Sequence, residues 1–133
     1  MPVEPTAFEI DEQESGYYIG TITDHAGAML PGAVLTSLQL TLYVIRQDGS
    51  TAIVNSRNHQ NVLNMNNVTV YDVLQSLPDG RTYNLRWIIQ PQDSTLVEAL
   101  LFERHLMLWE WAWAQGQGKH EAVLVVKGLV MVP

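Results

Sequence analysis

The chain has 133 residues, 14 acids against 7 Lys and Arg, no Cys and a net charge of -7. That length suits one domain with its own core, and the missing Cys excludes disulfide scaffolds, thiolate zinc sites and Cys nucleophiles. The acidic balance argues against a general binder of nucleic-acid backbones, no apolar run is long enough to predict a membrane span, and MPVEPTAFEIDEQE lacks the basic start and apolar middle of a secretory signal.

The acidity is concentrated at the front. Residues 1–45 hold Glu4, Glu9, Asp11, Glu12, Glu14 and Asp24 and no Lys or Arg, whereas residues 46–133 are nearly neutral. Self-repelling charge beside Pro2 and Pro5 disfavours a packed element. Residues 1–16 therefore read as a loose acidic arm and 17–133 as the folded domain. The arm is either a solubilising tail or a segment that orders against a basic neighbour. In the second case Phe8 and Ile10 are its apolar anchors, with Glu12 and Glu14 among its charges.

Tyr17–Thr23 is β-branched and aromatic and reads as a strand, followed by turns at Asp24–Gly27 and Pro31–Gly32. Leu35–Arg46 alternates at period two, with Leu38, Leu40, Leu42 and Val44 on one face. Asp48-Gly49 marks a hairpin and Thr51–Val54 its return strand. Six Asn then fall between 55 and 67, interleaved with Val62, Leu63 and Met65. Asn accepts left-handed backbone and satisfies backbone groups with its own amide. The segment reads as an irregular stretch pinned by Val62 and Leu63.

Val68–Tyr71 is a short strand, and 72–77 is either its continuation or a helical turn. Thr82–Gln90 alternates again, and Trp87 is the candidate central aromatic of the core. Residues 95–113 fit two patterns. A three-four spacing runs through Ala99, Phe102, Leu106, Trp109 and Trp113, while Met107, Trp109, Trp111 and Trp113 align at period two. A strand from about His105 to Trp113 is the adopted reading, with 95–104 as a loop or short helix. Glu121–Val132 is the last strand. A loop at Gly116-Gln117 would set Trp109 opposite Leu124 and Trp113 opposite His120. About six to eight short strands separated by turns predict an all-β, immunoglobulin-like antiparallel sandwich.

Chemical motifs are sparse. There is no Gly-x-Ser-x-Gly elbow and no His-Glu-x-x-His, and His25, His59, His105 and His120 share no ligand spacing. Asp24, Asp48, Asp79 and Asp93 all fall in predicted turns. Asp93-Ser94 with a distant His offers a trio of the kind that arises by chance. No catalytic residue, metal or cofactor is expected. Trp109, Trp111 and Trp113 on one strand face have three readings: core, subunit interface, or a platform on which host-surface glycans stack.

Five blocks occur in a distinctive order: ITDHAG at 22–27, LTSLQLTLY at 35–43, VNSRNHQNVLNMNNVTV at 54–70, LRWIIQPQD at 85–93 and ERHLMLWEWAW at 103–113. Their order resembles small immunoglobulin-like virion proteins of tailed bacteriophages, found among head and head–tail junction components. The likeness covers about residues 17–132, and Asn55–Asn64 is its most specific part. It implies a non-enzymatic structural protein, in many copies, assembled in the bacterial cytoplasm into the virion. Such a protein decorates or cements the head, or forms a collar. The implied partners are capsid, portal or connector subunits and further copies of the chain, with no nucleic acid or membrane.

Overall fold

The alternation of β3 sets the core. In the computed structural model, which describes residues 7–11, 13–98 and 102–128, Leu38, Leu40, Leu42 and Val44 all point inward and are buried. Nine strands form among the described residues: β1 (Ala7–Asp11), β2 (Gly16–Gly20), β3 (Leu35–Ile45), β4 (Thr51–Ile53), β5 (Gln60–Asn61), β6 (Val68–Ser76), β7 (Thr82–Ile89), β8 (Phe102–Trp113) and β9 (Gly116–Lys127). One sheet runs β1-β9-β8-β3-β4, with β5 also on β3; the other runs β2-β7-β6. The two sheets pack as a β-sandwich, and their strand order, β2, β7 and β6 against β9, β8 and β3, is the order of an immunoglobulin-like arrangement. The pairing is antiparallel except for β1 on β9, which is parallel.

Residues 7–11 are therefore not a loose arm. They form an edge strand, with Phe8 opposite Leu124 and Ile10 opposite Val126 in the ladder. Ile10 is buried in the core, and Glu9 lies 3.5 Å from Lys127. Burial of one large aliphatic side chain and a backbone ladder outweigh the local acidity, and Lys127 supplies the basic neighbour from within the chain. Glu12 lies outside the described residues.

The three tryptophans of β8 are core residues. Glu103, His105, Met107, Trp109, Trp111 and Trp113 all turn inward, while the even-numbered residues face out. Trp109 meets Trp87 edge-on at 5.8 Å and stacks on Tyr18 of the opposite sheet at 6.0 Å. At 1%, 7% and 9% exposure, Trp109, Trp111 and Trp113 pack as core and do not form an open interface or a platform for glycans.

The β8–β9 register also differs from the predicted one. The turn is Ala114-Gln115, so Trp109 faces His120 and Trp111 faces Gly118. Gly118 explains the choice. A Cβ there would lie 2.7 Å from the Trp111 ring, so the indole occupies space that only glycine leaves. Strand β8 starts at Phe102, earlier than expected, and β6 continues as strand through Ser76.

The Asn-rich stretch behaves as its composition predicts. Asn55, Asn64, Asn66 and Asn67 have positive φ, as do Ser56 and His59. Asn64 Oδ1 accepts the Val70 amide, and Asn66 Nδ2 donates to the Asn61 carbonyl. Val62 is fully buried, and Leu63 packs against the core.

Candidate functional site

Two features stand out, one inside the sandwich and one on its surface. The first is a buried ionic cluster that joins three segments distant in sequence. Arg57, from the Asn-rich stretch, grips Asp93 with Nε at 2.6 Å and Nη2 at 3.1 Å. The Arg57 guanidinium also lies 5.2 Å from the centre of the Trp87 ring, and its Nη1 donates to Gln60. Asp93 accepts further bonds from Asn55 Nδ2 and the Gln90 amide. Each carboxylate oxygen is thus met by donors, as a buried charge requires.

The cluster continues through the Asp93 backbone. Its carbonyl lies 2.9 Å from His105 Nδ1. A carbonyl only accepts, so Nδ1 carries a hydrogen. His105 Nε2 lies 2.7 Å from Glu103 Oε1, within hydrogen-bonding distance of that carboxylate. Burial disfavours ionised Glu103, but bonds from the Glu98 and Val97 amides and from His105 outweigh it. The carboxyl is held below its ordinary range.

Chemically this cluster is a clamp. It fixes the 55–60 segment, the 91–94 turn and the 97–98 loop onto β8. It also holds the chain before β2: Ser94 Oγ donates to the Glu14 carbonyl at 2.9 Å, and the Gln13 amide donates to the Ser94 carbonyl. Asp93, Ser94 and His105 are close together but not arranged for nucleophilic attack. The serine hydroxyl is buried on the Glu14 and Pro91 carbonyls, and His105 bonds the Asp93 backbone. Asp24, Asp48 and Asp79 hold the turns predicted for them, each accepting a nearby backbone amide.

Sequence reasoning placed Asp93 in a turn and missed the cluster. Strand parity carried the missing signal. Glu103 and His105 share the parity of Trp109, Trp111 and Trp113, so a core role for the tryptophans buries the ionisable pair as well.

The second feature is the outer face of the larger sheet. Ile53, Tyr43, Leu106 and Val123 pair in succession across β4, β3, β8 and β9, forming an apolar stripe perpendicular to the strands. Ile45 and Phe102, both more than half exposed, flank it on one side and Leu108 on the other. A concavity of about 350 Å³ opens beside it, lined by Ile45, Gln47, Glu98, Phe102, Arg104 and Leu106 among others.

The Phe8 side chain, like Glu12, lies outside what is described, and the other predicted interface residues are not brought together. Ile10 is core, Glu14 is exposed and tied by its carbonyl to Ser94, and Trp109, Trp111 and Trp113 face inward. Among the described residues no group of three His, Asp or Glu is placed to hold a metal, and no helix is long and apolar enough to cross a membrane. No protein-family model and no curated protein matches the chain.

Proposed function

We propose that the chain is a non-enzymatic structural protein of a tailed-bacteriophage virion, decorating or cementing the head or forming a collar at the head–tail junction. The observation that supports this reading is where its distinctive sequence blocks meet. Arg57 belongs to 54–70, Asp93 to 85–93, and Glu103 and His105 to 103–113. All four side chains are buried in one cluster. The residues that carry the resemblance are thus engaged in holding a shape. A protein with this economy works through its surface, as a component packed among neighbours.

Mass spectrometry of purified particles tests the proposal. The chain should be present in intact virions and should stay with them through density banding. A high ratio to the major shell protein indicates decoration, and a low fixed ratio indicates a collar. Loss of the chain from infectious, banded particles would reject a structural role.

A further inference from the structure

From the outer face of the larger sheet we infer that the chain pairs with a second copy of itself, sheet against sheet, through the stripe Ile53–Tyr43–Leu106–Val123. This inference stands independently of the virion proposal. Three properties of the face support it.

The first is charge. Glu9 is already paired with Lys127, which also stands across the ladder from Asp11, and Lys119 lies directly across the ladder from Glu110. Arg104 remains: it is exposed and, among the described residues, meets no acid. Glu121 remains on the other sign, held only by the Tyr43 hydroxyl at 3.1 Å. The two lie on opposite sides of the stripe. Arg104 is two residues before Leu106 on β8, and Glu121 is paired with Leu108, two residues after it.

The second is symmetry. A two-fold axis lying in the interface along the stripe sets each stripe on its own copy. It also brings Arg104 of one copy to the level of Glu121 of the other, offset by about one strand spacing of ~5 Å. Arg and Glu side chains span that offset. Two such pairs form, one at each side of the stripe, so the patch is complementary to itself.

The third is size. Three strands of 11–12 residues, with two short edge strands beside them, cover roughly 700 Å² in plan. A standard interface takes about 800 Å² per partner. Exposed Phe102 and Ile45 would be covered in such a pair, and large contiguous apolar surface is uncommon on a chain that stays alone.

Sedimentation of the purified chain over a concentration series tests this, with folding of every variant checked by circular dichroism. A monomer–dimer equilibrium is expected. Arg104→Glu and Glu121→Arg should each weaken the dimer by about tenfold or more, because each change is felt twice across the axis. The double variant R104E/E121R should restore it. Since the chain has no Cys, Leu106→Cys provides a second measurement. A short bis-maleimide should link Leu106→Cys copies, and should not link Val73→Cys on the exposed surface of the other sheet. A chain that stays monomeric to millimolar concentration would overturn the inference. So would a dimer that ignores both single reversals, or charge-reversed variants that the double change fails to rescue.

Discussion

Tyr18 of β2 stacks on Trp109 of β8 with ring centroids 6.0 Å apart and planes inclined by 13°. These two strands are the ones that a disulfide joins in antibody domains. An aromatic pair therefore ties the sheets together in a chain without Cys. Trp109→Ala should cost about 3–5 kcal/mol in urea unfolding, the range for deleting a large buried aromatic. Burial also pushes the Tyr18 phenol from 10.0 up to about 12. A raised value means that the neutral form stabilises the fold. That contribution is complete below pH 10 and is lost as pH rises through about 12. Tyr18→Phe should remove this part of the alkaline transition, and phenolate absorbance should show one tyrosine fewer ionising late.

Arg57 is the cation of the buried clamp, so its removal leaves the Asp93 carboxylate with neutral donors only. Arg57→Met should destabilise by about 3–5 kcal/mol, the cost of orphaning a buried charge. Combining it with Asp93→Asn should recover part of that loss. Urea midpoints of the two single variants and the double variant check this. Strictly additive losses would show that the residues are not coupled.

Acid should release the same clamp from the Glu103 side. Burial opposes the ionised form, and the Glu98, Val97 and His105 donors win, so the folded value lies below the usual 4.5. A depressed carboxyl stabilises above its unfolded value and loses that contribution as pH falls through the folded one. His120 acts in the same direction at higher pH. Burial lowers it from 6.5, partly offset by Glu121, so its contribution is present above 6.5 and fades below. Melting temperatures of wild type and Glu103→Gln should differ most above pH 4.5 and converge on acidification. A constant gap would assign the stability to another group.

Gly118 is where the β8–β9 register is decided. A side chain there meets the rigid Trp111 ring at 2.7 Å, and the same indole donates Nε1–H to the Thr23 carbonyl. Gly118→Val should displace the indole, cost about 1–3 kcal/mol as overpacking, and red-shift Trp fluorescence. Lys119→Val, exposed one residue on, should leave the emission unchanged.

Deleting residues 1–15 removes β1 together with its buried Ile10. Melting temperature should fall, and hydrogen exchange should rise at the β9 amides that β1 covers. Ile10→Asp should reproduce most of the thermal loss. If the truncated chain melts like the full one, β1 contributes nothing to stability.

Much of the architecture follows from local pattern. Leu38 to Val44 could bury only one face, the Asn-rich stretch could not be regular, and Asp48-Gly49 had to turn. These are short-range consequences of side-chain period and backbone freedom, which a linear chain already displays. The chain by itself determined a cysteine-free, all-β domain with an acidic front.

Other features depend on which segments meet. The N-terminal charges predict looseness only until Lys127 and the β9 edge are brought alongside. The three tryptophans have the same spacing whether they face core or solvent, and only the sheet of β2 and β7 packed over them decides it. Arg57, Asp93, Glu103 and His105 are 46 to 48 residues apart at their extremes, 57 to 103 and 57 to 105. Their joint burial is a property of the closed sandwich alone. A buried charge is stable only when its partner is present, and the tertiary fold is what supplies the partner.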